Sequence, residues 1–300
     1  MPRIAATVAA LLILAAPAAA QVPARDPAPA ELENVVVEGR RLSETIERFV
    51  DDVVAPPVGR GPARWNRKVC VGALNLRREA AQVVLDQVSR IALELGLEPG
   101  DPGCKPNIFI IATNDGEGLA KALVERKPRT FRPNYSGAAR SRTALERFQS
   151  GAEPVRWWHI SMPVTETGEP AVRLPGYGPP MIREDGSRLT TRIRNNLLGA
   201  LVILDLEKMD GVNFQQLGDY IGMIAMAQID PEAETATYDT VLNLFQSPGA
   251  VDGLTDWDRS YLSALYDAEL NRRAPSQQGG EVAGLMLRDR LRAETEEPDQ

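Results

Sequence analysis

The chain predicts an α/β (α+β) fold: a mixed, mostly parallel sheet with helices packed on it and a strand at its edge. Three observations point there. Apolar runs of strand length at residues 68–74, 107–113 and 198–205 are bounded by turn-forming residues, as strands buried on both faces are. Segments with apolar residues at helical spacing, 77–97 and 215–229, alternate with them, which is the order of a layered α/β domain. The run Val155-Arg-Trp-Trp-His-Ile-Ser-Met162 has two alternating faces and leads into turn residues 165–169, so it suits a strand at an exposed edge.

Taken in order, residues 1–20 have the three parts of a secretory signal peptide: Arg3, an apolar stretch from Ile4 to Ala16, and Ala18, Ala19 and Ala20 before Gln21. Residues 21–58 predict a Pro/Ala-rich linker, a short apolar run at Val35, Val36 and Val37, and a helix over 43–54 that Ser43 caps and Pro56 and Pro57 end. A single domain is expected over 59–275. It opens with a strand at 68–74, a helix over 77–97 with Val84, Val88 and Ile91 on its apolar face, and a strand at 107–113, forming a β-α-β unit. A helix over 115–126, a long irregular loop over 127–141 broken by Pro128 and Pro133, and a helix over 142–149 lead to the edge strand. Past the Pro/Gly-rich stretch 175–180, strand 198–205 runs through Gly211 into the most apolar helix, for which Asn213 and Gln216 offer a capping box and Asp230-Pro231 a stop. A β-like run at 239–245 and the segment 254–266 follow. Residues 276–300 predict a partly disordered tail, acidic from Glu294 onward.

Cys70 and Cys104 are the only cysteines, and beside an export leader an isolated pair predicts a disulfide. The expected location is periplasmic or secreted. No later run exceeds strand length, so no integral membrane span is expected once the leader is removed. The net charge of −7 becomes one unit more negative when Arg3 leaves, which opposes general binding to nucleic acid or anionic lipid. Lys121, Arg126, Lys127, Arg129, Arg132, Arg140, Arg142, Arg147 and Arg156 nevertheless crowd one stretch. A solvated loop and helix face is preferred there over an anion site.

The segment 198–266 gives an apolar strand, an apolar helix, a short run and then Leu254-Thr-Asp-Trp-Asp-Arg-Ser-Tyr-Leu-Ser-Ala-Leu-Tyr266. This order resembles the metzincin clan of metalloproteases, whose active-site helix carries H-E-x-x-H-x-x-G-x-x-H and whose last helix opens with a pattern like L-S-x-x-D-x-x-A-L-x-x-L-Y. On that pattern Asp219, Met223 and Ile229 stand in place of the three histidines, Tyr220 in place of the general-base Glu, and Met226 in place of the glycine. The resemblance implies a scaffold without its zinc ligands, and a cleft whose rim is an antiparallel edge strand able to pair with extended peptide. Trp157 and His159 on that strand, with Asp219 and Tyr220 on the helix, are then the candidate binding residues for a peptide or protein partner in the cell envelope.

Other chemistry finds little support. A catalytic zinc needs about three protein ligands, mostly His, and the chain has one His and a cysteine pair better used as a bridge, so no metal and no cofactor is expected. There is no EF-hand loop, no Walker loop, no G-x-G-x-x-G and no G-x-S-x-G. A serine mechanism would have to use His159 with a serine such as Ser161. The alternative enzyme is a hydrolase using Asp205, Glu207, Asp210 and Asp219 as paired carboxylates, although Asp210-Gly211 also reads as a turn. Met223 and Met226 are read as core filling.

Overall fold

Three parallel strands and one antiparallel strand form a single sheet in the order β1-β2-β4-β3, with helices packed around it. The computed structural model describes residues 29–57, 59–66, 68–133, 140–174, 187–247 and 249–296. The expected signal peptide, the linker before residue 29, the stretch 175–180 and the last four residues lie outside them. The chain divides into two units, Met1–Gly39 and Arg40–Gln300, and the sheet belongs to the second. In order the elements are α1 (Pro29–Val53), β1 (Val71–Leu74), α2 (Arg78–Glu94), β2 (Ile108–Thr113), α3 (Gly116–Arg126), α4 (Pro128–Phe131), α5 (Arg142–Ser150), β3 (Val155–Val164), β4 (Arg194–Asp205), α6 (Phe214–Met226), α7 (Asp256–Asp267) and α8 (Pro275–Glu296). Two 3-10 turns lie at Leu206–Lys208 and Val241–Asn243.

The pleat sorts the strand residues onto two faces. Ile108, Ile110 and Ala112 of β2, with Ala200, Val202 and Leu204 of β4, join the larger core with α2, α6 and α7. Ile203 and Trp158 on the opposite face pack with Ala120 of α3, Phe131 of α4 and Leu145 and Phe148 of α5. On the first face α6 approaches α2 through two glycines one turn apart. A Cβ on Gly218 would stand 2.7 Å from Gln87 Cβ, and one on Gly222 would meet the end of Ile91. The expected capping box at the start of α6 is present: Asn213 Oδ1 accepts from the Gln215 and Gln216 amides at 2.9 Å, and Gln216 Oε1 accepts from the Asn213 amide at 3.1 Å.

The disulfide joins Cys70, just before β1, to Cys104 in the loop that enters β2, with Cα atoms 6.1 Å apart. It closes the β1-α2-β2 unit at the end where those strands begin.

Five sequence expectations need correction. α1 starts at Pro29 rather than Ser43, and Ser43 lies inside it with its hydroxyl donating to Glu47 at 3.2 Å, because no proline interrupts the segment before Pro56. The irregular loop after α3 contains the one-turn helix α4, which Pro128 starts at its first position, where the missing N–H costs nothing. α6 stops at Met226 rather than Ile229. Extended backbone takes over, with the Ala55 amide donating to Gln228 O and the Asp230 amide to Val53 O. The run at 239–245 is a 3-10 turn and not a strand, since Thr240 accepts from the Leu242 amide and Asp258 Oδ2 from the Val241 amide at 2.7 Å. Finally, most of 276–300 is α8, whose Val282, Ala283 and Met286 are buried in the core.

Candidate functional site

β3 is the expected edge strand and runs antiparallel to β4, but it is not an exposed one. Trp157, Trp158, His159 and Ser161 are at most 5 % exposed. Helices cover both faces of the strand, which alternation along the chain does not reveal. Trp157 points to the larger core, where its Nε1 donates to Ile229 O at 2.9 Å and its ring meets Tyr220 edge-on at 6.1 Å. On the other face Trp158 packs against Phe131 and Phe148, with the Arg140 guanidinium 5.5 Å from its centroid. The expectation that Trp157 and His159 present a partner-binding surface along the strand is therefore corrected.

His159 is neutral in the folded protein. Burial lowers its pKa to about 4, the nearby Arg140 charge acts the same way, and the bond to Ile224 O opposes them in part. At 2.6 Å from that carbonyl, Nε2 must carry the proton and donate it. Ser161 accepts from Gln228 Nε2 at 3.4 Å and makes no contact with His159, so no Ser–His pair forms.

The carboxylates do not converge either. Asp205 is buried beside Lys208 at 3.1 Å, Glu207 and Asp210 are exposed, and Asp219 accepts from Gln87 with Arg90 at 3.6 Å. Among the described residues no three His, Cys, Asp or Glu side chains are grouped as metal ligands would be. Of the positions matched to zinc ligands, Met223 is fully buried, Ile229 lies beyond the helix, and Asp219 turns toward α2.

Tyr220 stands apart from its neighbours on α6. It is 6 % exposed, its hydroxyl makes no hydrogen bond among the described residues, and it lines a cavity of about 240 Å³ with Trp157, Leu242, Phe245, Thr235 and Glu153. Phe245 meets its ring edge-on at 5.0 Å. Burial raises the phenol pKa and the Glu153 charge adds to it, so Tyr220 stays a neutral donor throughout the ordinary pH range.

A second cavity of about 390 Å³ adjoins the first, sharing Glu153, Val155, Trp157 and Pro231 as a common wall. Three members of the basic stretch, Arg140, Arg147 and Arg156, line it with Phe148 and Glu232. Arg140 pairs with Asp230 at 3.1 Å, Arg147 pairs with Glu232, and Arg156 donates to the neutral carbonyl of Gly151. Both cavities lie where β3 begins beside the end of β4, on the carboxyl side of the parallel strands, where sheet proteins of this kind place their sites. Sequence reasoning named Tyr220 and Trp157 but missed Glu153 and the three arginines as a group. Their count was visible, while their convergence depends on how α5 folds back on β3. No family model, curated protein or solved structure matches this chain.

Proposed function

We propose that this is an exported, non-catalytic protein that binds a peptide segment of an envelope partner, on a scaffold similar to that of the metzincins with the zinc chemistry gone. The observation that carries it is Tyr220. At the position matched to the general base, a nearly buried phenol offers an unused hydrogen bond to a pocket with aromatic walls. Binding pockets typically combine mostly apolar walls with a few well-placed polar groups. Tyr220 can donate to a peptide carbonyl while Trp157, Leu242 and Phe245 receive an apolar side chain. Export is supported by the leader-like residues 1–20 and the disulfide, and by no described helix being long and apolar enough to cross a membrane.

Calorimetric titration with acetyl-Ala-Phe-Ala-amide tests the proposal. Saturable binding is expected, and Tyr220→Phe should weaken it by about tenfold, the worth of one hydrogen bond left unmade in a buried site. Absence of binding by the wild-type protein removes the proposal. Binding untouched by Tyr220→Phe removes the phenol from it.

A further inference from the structure

Arg156 of β3 and Asp205 of β4 stand on neighbouring strands, beside the start of α3. Each is 4 % exposed, and each keeps a buried polar atom without a partner, Nη1 of the guanidinium and Oδ1 of the carboxylate. Their other ends are engaged. Arg156 Nη2 donates to Gly151 O, and Asp205 Oδ2 accepts from Lys208 at 3.1 Å. Opposite charges buried side by side ordinarily pair, since an unpaired one is costly, yet among the described residues no ion pair within 4.0 Å joins these two. Gly116, the first residue of α3, shows how near they are. A Cβ there would collide with Arg156 Nη1 and stand 3.2 Å from Asp205 Oδ2. Two polar groups close to one point but not in contact with each other have the spacing that a bridging water fills.

We infer that one ordered water occupies a closed site between Arg156 Nη1 and Asp205 Oδ1, beneath Gly116, and links β3 and the start of α3 to the end of β4. A water suits both groups, accepting from the guanidinium and donating to the carboxylate. An anion would meet the Asp205 charge and a cation the Arg156 charge, and atoms closed to solvent leave no room for a larger polar molecule. Gly116 is then the residue that keeps the space. Fixing the guanidinium in this way also holds its Nη2 on Gly151 O, at the turn from α5 into β3 that lines the larger cavity. The inference does not depend on what the cavities bind.

The test is a crystal structure of the wild-type protein at a resolution that shows ordered solvent, from crystals grown in sodium bromide. One solvent peak within hydrogen-bonding distance of both Arg156 Nη1 and Asp205 Oδ1, with no bromine anomalous signal, is expected. A direct Arg156–Asp205 contact overturns the inference, as does a space without density. An anomalous peak there overturns the assignment to water and makes the site one for an anion. Gly116→Ala supplies the second reading. Its Cβ takes the water's place, so the peak should vanish and the folding equilibrium constant in urea should fall at least about tenfold, although Ala ordinarily favours a helix over Gly. A peak retained in Gly116→Ala, or a variant as stable as the wild type, overturns the role given to Gly116. If the variant does not fold, the wild-type crystal decides alone.

Discussion

His159 shows how a single buried residue can set the acid sensitivity of the fold. Its folded-state pKa of about 4 lies below the value near 6.5 of an unfolded chain, so the unfolded state takes up a proton first. The contribution of His159 is complete above about pH 6.5 and is lost as the pH falls toward 4, by about 2–3 kcal/mol at pH 4.5. Asp258 acts in the opposite sense, because burial raises its carboxyl to about 6 and protonation then favours the folded state. The two effects overlap, so the comparison that isolates the histidine is wild type against His159→Gln in urea at pH 7 and pH 4.5. The stability gap should move against the wild type by about 2–3 kcal/mol on acidification; an unchanged gap means the imidazole reaches water. The tryptophans correct a second single-residue expectation. Alternation along β3 suggests one core face and one outer face, and hence that only Trp158 matters for stability. With Trp157 at 5 % and Trp158 at 2 % exposure, Trp157→Ala and Trp158→Ala should each cost about 3–5 kcal/mol by urea denaturation.

Among the helix ends the cap of α6 was legible, whereas the start of α1, the end of α6 and the contacts between helices were not. Asn213 and Gln216 are close in sequence and so their capping box could be read directly; the start of α7 at Thr255 has the same kind of box, which was not read. There Thr255 and Asp258 cap each other, and Asp258 also accepts from Thr240 and from the Val241 amide. The work of Thr255 and Asp258 is thus to cap a helix and anchor a turn. The 3-10 turn itself was unreadable because its partner lies on another helix. Gly218 is a similar case: its value depends on Gln87 of α2, far away in sequence. Gly218→Ala places a Cβ 2.7 Å from Gln87 Cβ and 2.9 Å from its Cγ, so overpacking of about 1–3 kcal/mol should exceed the gain in helix propensity. Gly280 of α8 is the control. It is exposed with nothing within 4 Å of the added Cβ, so Gly280→Ala should stabilise by about 0.5–1 kcal/mol. Equal effects at the two positions, read as shifts in urea midpoint, would show that α2 and α6 are not in close contact.

Across the whole molecule, the sheet order separates what stabilises the fold from what the pocket does. β1 and β3 occupy opposite edges of the sheet. The disulfide lies at the start of β1, whereas both cavities lie at the start of β3 beside the carboxyl end of β4. Sequence alone gave the strand alternation, the edge position of β3 and the cysteine pair. It did not give the folding back of α5 that gathers the arginines or the packing of α8, because both depend on contacts between distant segments. A cross-link spanning 34 residues restricts the unfolded chain and should contribute about 3–4 kcal/mol if the native geometry is relaxed. It touches neither cavity. Cys70→Ala combined with Cys104→Ala should therefore lower the urea midpoint by that free energy while leaving calorimetric affinity for acetyl-Ala-Phe-Ala-amide unchanged at temperatures where the variant remains folded. An unaltered midpoint would mean that the bridge does not restrict the unfolded chain as assumed. A folded variant with weakened affinity would mean that the two edges are coupled through β2 and β4, and that the pocket depends on the integrity of the whole sheet.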